Sequence, residues 1–110
     1  MKCDLDKLIS RILEFRDRRN WAQFHNPKDL ALGLSVEAAE LNEQFLWKKP
    51  EDADPKRVRE ELADVLIFAL MLLEKYKLDF EEIVLEKLAA NEEKYPVDKA
   101  RNRAAKYTDL

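Results

Sequence analysis

The segment EELADVLIFALMLLEKY, residues 60–76, decides the fold predicted for this sequence. Its central run, residues 65–73, is apolar at every position, so a helix formed there has no face left for water. Glu61 and Asp64 stand one helical turn apart just before this run, on a face that is otherwise apolar. An unpaired carboxylate is costly to bury, so these two acids require a partner that satisfies them.

The composition indicates a helical protein with one domain. The chain has 110 residues, a single glycine and 39% charged residues, which is enough for one domain and too short for two. Asn26-Pro27 and Asp54-Pro55 each combine a capping residue with a proline at the first helical position, and Asp79 precedes Glu82 by the spacing of a capping box. We therefore predict a single all-α domain over residues 1–110, with helices at residues 5–19, 27–48, 55–77 and 79–95. The basic tail, residues 97–110, is either a mobile end or an arm that folds over something.

The third predicted helix also constrains the assembly. A unit of four antiparallel helices of this size buries one member only partly, so we expect a bundle-like unit that is completed by a second copy of the chain. The alternative is a central helix buried within a monomer, which a chain this short accommodates less well.

Several classes of function are not indicated. The net charge of −3 does not favour binding to nucleic acid or to an anionic membrane surface. The lone Cys3 has no internal disulfide partner, and the N-terminal residues lack the apolar stretch of a signal peptide. The longest uncharged apolar run is far shorter than the ~20 residues of a membrane span. A reducing cytoplasm is the expected location.

A second acidic pair points to a metal site. In SVEAAEL, residues 35–41, Glu37 and Glu40 are also one turn apart and border an apolar stripe. If this helix packs beside the third one, four carboxylates converge, and an all-oxygen site suits Mg²⁺, with Mn²⁺ as a substitute. The Glu-x-x-His motif of di-iron bundles is absent from the sequence. The competing interpretation is a solvated acidic face, which we favour for Glu43, Glu51 and Glu60.

The two pairs, Glu37-x-x-Glu40 and Glu61-x-x-Asp64, are separated by twenty residues. They resemble the EXXE…EXXD signature of the MazG-like, all-α nucleoside triphosphate pyrophosphohydrolases. The segments WAQFHNPKDLAL, FLWK, KLAANEEKYP and KYTDL are similar to the dCTP pyrophosphatase branch of that family. The resemblance implies Mg²⁺-dependent hydrolysis of the α–β phosphoanhydride of a dNTP, dCTP or a modified pyrimidine nucleotide, to the monophosphate and pyrophosphate. It also implies that these four acids are the catalytic metal ligands and that a water of lowered pKa attacks the α-phosphorus. The assembly is expected to be a homodimer or, by this resemblance, a tetramer.

Other positions that match the branch are candidates for substrate binding. Trp21 and Trp47 offer faces on which a base can stack, and Trp47, two turns after Glu40, is expected to form a wall of the pocket. His25 is a weaker candidate for a base or phosphate contact. The candidates for phosphate and sugar contacts, from the fourth helix and the tail, are Lys87, Asn91, Lys94, Tyr95, Lys106 and Tyr107. The alternatives are ordinary packing for each tryptophan and a solvated face for the lysines.

Two other functions stay open. Ile12 and Phe68 replace a histidine and a tyrosine of the vertebrate members, which implies weaker discrimination among pyrimidines or between ribose and deoxyribose. The alternative with the same chemistry is a broad NTP pyrophosphohydrolase that removes non-canonical nucleotides. The alternative from a different functional class is a non-catalytic helical module that mediates oligomerisation. This alternative does not explain why the acidic pairs stand beside apolar residues.

Overall fold

The computed structural model describes residues 3–110, and all regular structure in that range is helical. The all-α prediction is therefore confirmed. The long helices are α1 (Leu5–Arg18), α2 (Pro27–Glu43), α3 (Pro55–Lys75) and α4 (Phe80–Lys94), and a short α5 spans Val97–Ala100. Single turns of 3₁₀-helix occupy Ala22–Phe24, Pro50–Asp52 and Tyr107–Asp109. Within residues 3–110, no helix combines the length and apolar character needed to cross a membrane.

Side-chain caps begin each long helix, and the sequence predicts those of α2, α3 and α4. The side chain of Asn26 accepts a hydrogen bond from the Asp29 amide at 2.9 Å, and Asp79 accepts one from the Glu82 amide at the same distance. Asp54 caps α3 in the same way. Each cap satisfies an amide that has no partner within its helix and typically contributes ~1 kcal/mol. The predicted starts of α2, α3 and α4 are confirmed.

The predicted end of α2 is wrong. We expected the helix to reach Lys48, but it ends at Glu43, and the next three amides bond to carbonyls three residues back. Trp47 then adopts a left-handed backbone conformation, with φ of 62°, which no helix continues through. The residues 44–48 are all compatible with helix, so composition alone gave no stop signal. The ends of α1 and α3 differ from prediction by one and two residues.

The described residues form two compact units, of which the first extends to Lys77. In this unit α3 packs against both α1 and α2. Leu30 on α2 is 1% exposed, and Met71 and Leu73 on α3 are buried. Full burial of one such side chain stabilises a fold by roughly 1.5–3 kcal/mol, so these residues form the apolar centre of this unit.

The second unit runs from Leu78 to Leu110 and contains α4, α5 and the tail. The tail is more regular than its sequence pattern suggested. The Arg103 guanidinium donates a hydrogen bond to the Asp109 carbonyl at 3.1 Å, which closes the last turn of the chain. The expectations of one domain over residues 1–110 and of a bundle completed by oligomerisation stay predictions.

Candidate metal centre

The carboxylates of α2 and α3 converge as the sequence predicts. One carboxylate oxygen from each of Glu37, Glu61 and Asp64 lies within 4.8 Å of the other two. Glu40 stands one turn after Glu37 on α2, and its carboxyl group raises the pKa of both Glu37 and Glu61. The i, i+3 spacing directs each pair to one helix face, and the packing of α2 on α3 brings the two faces together.

Two oxygen atoms in this cluster are buried without a protein partner. Oε2 of Glu37 and Oε2 of Glu61 are both inaccessible to solvent and accept no hydrogen bond from the described residues. Burying such an atom is unfavourable unless a donor or a cation satisfies it. The possible ligands gathered here are all carboxylate oxygens. Mg²⁺ and Mn²⁺ prefer oxygen ligands, whereas zinc and copper favour the nitrogen and sulfur ligands of histidine and cysteine. The residues therefore fit a hard divalent cation.

The pKa values in the cluster reflect the same crowding. Burial raises the pKa of Glu37 to about 7, and a hydrogen bond with Glu40 and the charges of the neighbouring carboxylates act in the same direction. Burial also raises the pKa of Glu61, and the charge of Glu40 adds to the rise, whereas the positive charge of Arg57 opposes it. Without a cation, the cluster favours the uptake of a proton.

Two residues that border the cluster were missed by the sequence analysis. The Arg57 Nε donates to Oε1 of Gln44 at 3.2 Å, and Nε2 of Gln44 donates to the backbone carbonyl of Glu40 at the same distance. A signal was present in the spacing: Gln44 follows Glu40 by four residues, and Arg57 precedes Glu61 by four, so each lies one turn from an acidic pair.

Trp21 forms part of an aromatic cluster on the surface of the first unit. Its ring meets that of Phe15 edge to face at 5.8 Å, and the Arg19 guanidinium lies 3.8 Å above the Phe15 ring. The Trp21 side chain keeps an exposed face. This arrangement fixes the orientation of Trp21, and its role in stacking a base stays a prediction.

Trp47 is 94% exposed and stands outside the helix. The inference that it lies on the face of Glu40 is wrong, because α2 ends at Glu43 and the helical spacing does not extend to Trp47. A bulky residue with positive φ is uncommon and carries strain. The structure thus leaves the ring of Trp47 free in solvent, where stacking on a base remains a prediction.

His25 lies at the far end of α2 from the carboxylates. It precedes Pro27, which begins α2 ten residues before Glu37, a distance of ~15 Å along the helix. Burial lowers the pKa of His25, and the charges of Arg16 and Lys75 lower it further. Its Nδ1 is buried and has no partner among the described residues. The structure therefore separates His25 from the acidic cluster and makes the neutral imidazole its favoured form.

The remaining substrate candidates belong to the second unit. Tyr107 meets Tyr95 edge to face at 6.0 Å, and the Lys94 ammonium lies 4.9 Å from the centre of the Tyr107 ring. These contacts hold the tail against the end of α4. Lys87 and Asn91 lie one turn apart on α4, and Lys106 precedes the last 3₁₀ turn. Their contacts with a substrate stay predictions.

The pKa of Glu37 predicts how metal-free stability depends on pH. The carboxyl group has its ordinary pKa of 4.5 when unfolded and about 7 when folded, so the folded protein binds the proton more tightly. The resulting stabilisation is complete below the unfolded value and is lost as pH rises through the folded value. We expect the free energy of unfolding in EDTA, measured with urea, to fall between about pH 5 and about pH 8. Glu37→Gln should flatten this decline, and a metal-free stability that instead rises over this range contradicts the assignment.

The comparisons with known proteins agree with this geometry. The family model described as MazG-like matches residues 32–110. The dCTP pyrophosphatase 1 proteins of Bos taurus and Homo sapiens are 40% and 38% identical over 105 residues, which is 88% of this chain and 62% of each relative. The chain thus spans less than two thirds of the length of these relatives. The crystal structure of a pyrophosphatase from Archaeoglobus fulgidus superposes with a TM-score of 0.79 and 38% identity, over 87% of this chain and 95% of that one. Because the family model covers most of its length, including all four acidic positions, the chain belongs to the MazG-like family.

Proposed function

We propose that this protein is a Mg²⁺-dependent nucleoside triphosphate pyrophosphohydrolase that cleaves the α–β phosphoanhydride of a dNTP, giving the monophosphate and pyrophosphate. The observation that carries the proposal is the pair of buried carboxylate oxygens, on Glu37 and Glu61, that have no partner among the described residues. The names of the relatives, dCTP pyrophosphatase 1 and pyrophosphatase, support the same class of reaction.

The four acids have distinct surroundings in the proposed site. Glu37 and Glu61 supply buried oxygens, whereas Asp64 is exposed and presents its carboxylate to solvent and substrate. The Mg²⁺ ion, or Mn²⁺ as a substitute, would be held by all four acids, Glu37, Glu40, Glu61 and Asp64. When bound, the ion supplies charge neutralisation for the phosphates and lowers the pKa of a water to the range where it is a nucleophile at neutral pH. The protein's part is to hold the carboxylates close together and oriented, and the charge of the bound cation would favour their deprotonated form.

The aromatic and basic residues are assigned to the substrate. Trp21 and Trp47 keep exposed ring faces, and stacking of a base on such a face contributes roughly 1–3 kcal/mol in other nucleotide-binding proteins. The remaining candidates are charged or polar groups for phosphate and sugar oxygens, namely His25, Lys87, Asn91, Lys94, Tyr95, Lys106 and Tyr107. Among these, His25 has the least support, because it lies ~15 Å along α2 from the acidic cluster.

The favoured substrate is dCTP or a modified pyrimidine nucleotide in the cytoplasmic pool. The relatives named dCTP pyrophosphatase 1 support this choice. The second candidate function is removal of a broad range of non-canonical nucleotides. It is favoured by the high exposure of Trp47, since stacking on an unrestrained ring selects poorly among bases.

Release of pyrophosphate from a panel of dNTPs and NTPs, with Mg²⁺ and with EDTA, tests the activity. We expect turnover only with the metal, because the negative carboxylates alone cannot neutralise the charge of the phosphates or activate a water. Turnover led by dCTP identifies the favoured substrate, whereas equal turnover across bases identifies the broad enzyme. No release from any nucleotide contradicts the proposal and leaves a non-catalytic helical module.

Asp64→Asn tests the acidic cluster, because it preserves the shape of the side chain and removes its charge. We expect pyrophosphate release to fall by more than about a hundredfold, a loss typical of removing one group that stabilises charge in a transition state. Glu60→Gln is the matched control, since Glu60 is an exposed acid on the same helix. Circular dichroism should show unchanged helix content in both variants. Full activity in Asp64→Asn excludes this residue from the site.

The proposed enzyme is a homo-oligomer, a dimer or tetramer, through the apolar face of α3. Leu62 and Leu66 are 45% and 53% exposed, and they line a groove together with Phe45 and Val58. Covering this groove with the same surface of a second copy removes apolar area from water on both chains.

Light scattering on the eluting protein checks this assembly. We expect a mass of at least two 13.0 kDa chains at micromolar concentration, and Leu66→Glu should lower it, because two carboxylates at a two-fold contact repel each other. Leu32→Glu, at an exposed leucine on α2, is the control. A parent protein that elutes as a 13.0 kDa monomer contradicts the assembly.

A further inference from the structure

The acidic cluster is bracketed by one contact at each end. Along α2 and its C-terminal cap, the residues concerned follow one another at steps of four, three and four. Along α3, their partners follow in reverse order at the same steps. Such matched steps are what two antiparallel helices in register produce. The successive pairs are Gly33 with Phe68, Glu37 with Asp64, Glu40 with Glu61, and Gln44 with Arg57. The two inner pairs are acidic and the two outer pairs are uncharged or attractive.

The contact at one end is polar and uses a buried amide. Gln44 is 9% exposed, and both ends of its side-chain amide are engaged. Gln44 caps the C-terminus of α2, and its Nε2 donates to the Glu40 carbonyl of that helix at 3.2 Å. Its Oε1 accepts from Nε of Arg57 on α3, also at 3.2 Å. A buried amide with both functions satisfied has one favoured position, so it fixes the approach of the two helices at this end.

The contact at the other end is apolar and depends on a missing side chain. A Cβ added at Gly33 would lie 2.8 Å from Cδ1 and 2.9 Å from Cζ of the Phe68 ring, well inside van der Waals contact. Gly33 is the one glycine in the chain, and its φ is negative, so its backbone conformation is open to any residue. Glycine weakens the interior of a helix. The close approach of the Phe68 ring is what requires glycine at this position.

Between these contacts, the carboxylates push the helices apart. Like charges in a partly buried site repel strongly, and metal–ligand distances tolerate a change of only about ±0.2 Å. We propose that Gly33–Phe68 and Gln44–Arg57 are positioning contacts that hold α2 and α3 at the separation that a divalent cation requires. This inference rests on the proposed metal site and adds four residues that do not themselves bind the metal.

Binding of Mn²⁺ without nucleotide, followed by the loss of its free electron paramagnetic resonance signal, tests this inference. Arg57→Lys keeps the positive charge and removes the Nε donor, and we expect it to weaken Mn²⁺ binding by roughly 10-fold to 100-fold, as residues supporting metal ligands commonly do. Gly33→Ala should weaken binding to a similar degree. Arg59→Lys, the same change two residues along α3, is the control and should bind as the parent does.

The apolar contact has its own internal check. Adding Gly33→Ala to a Phe68→Ala background introduces the same methyl group where no ring opposes it, so Mn²⁺ affinity should not fall further. A methyl group that weakens binding equally in both backgrounds overturns the role of the Phe68 contact. Binding that is lost in Arg57→Gln but retained in Arg57→Lys assigns the effect of Arg57 to its charge and overturns the polar contact.

Melting curves with and without Mn²⁺ separate positioning from general stability. A positioning contact reduces the increase in melting temperature that Mn²⁺ produces, because ligand binding to the folded state sets that increase. Variants that melt earlier by the same amount in both conditions, with unchanged Mn²⁺ affinity, overturn the inference. A parent protein that fails to bind Mn²⁺ overturns the metal site itself, whereas binding without pyrophosphate release overturns only the proposed activity.

Discussion

Mutual repulsion among carboxylates that two helices hold together is the constraint on which the rest of the site depends. Glu37 and Glu61 direct buried oxygens at the same small volume, and neither oxygen has a partner among the described residues. In water each carboxylate would be solvated separately, so apolar burial, including that of Leu30, Met71 and Leu73, must offset the cost of holding the carboxylates close together. A stable fold with an unfavourable acidic centre is the expected form of a site that binds a cation.

The acidic pairs were predictable because helix geometry is local. Spacing of three residues places two side chains on one face whatever the rest of the chain does, and the neighbouring apolar residues indicate that this face is covered. Which residues meet across α2 and α3 is not local, since periodicity gives the face of a helix but not its register against another. Gln44 and Arg57 were therefore missed, although both lie one turn from an acidic pair.

Turns and loops were the harder part of the prediction. The end of α2 at Glu43 is not indicated by the composition of the residues that follow. Trp47 adopts a left-handed backbone conformation, although glycine and asparagine are the residues that usually indicate one. Trp47 was placed by helical spacing from Glu40, and His25 was assigned by its sequence motif. Both residues lie outside the long helices, where loop geometry decides the position of a side chain. The helix starts that were predicted correctly are those of α2, α3 and α4, each of which begins with a cap that the sequence displays.

The antiparallel register of α2 and α3 also limits how this sequence tolerates insertions and deletions. A residue inserted between Gly33 and Gln44, or between Arg57 and Phe68, rotates every later side chain of that helix by about 100° about the helix axis. The acidic side chains of α2 and α3 would then no longer face each other. The connection between the helices, residues 45–54, is free of that limit, because adding residues there moves neither helix along the other. Between Gly33 and Phe68, length variation among related sequences is therefore expected in this connection, with the spacing inside each helix preserved.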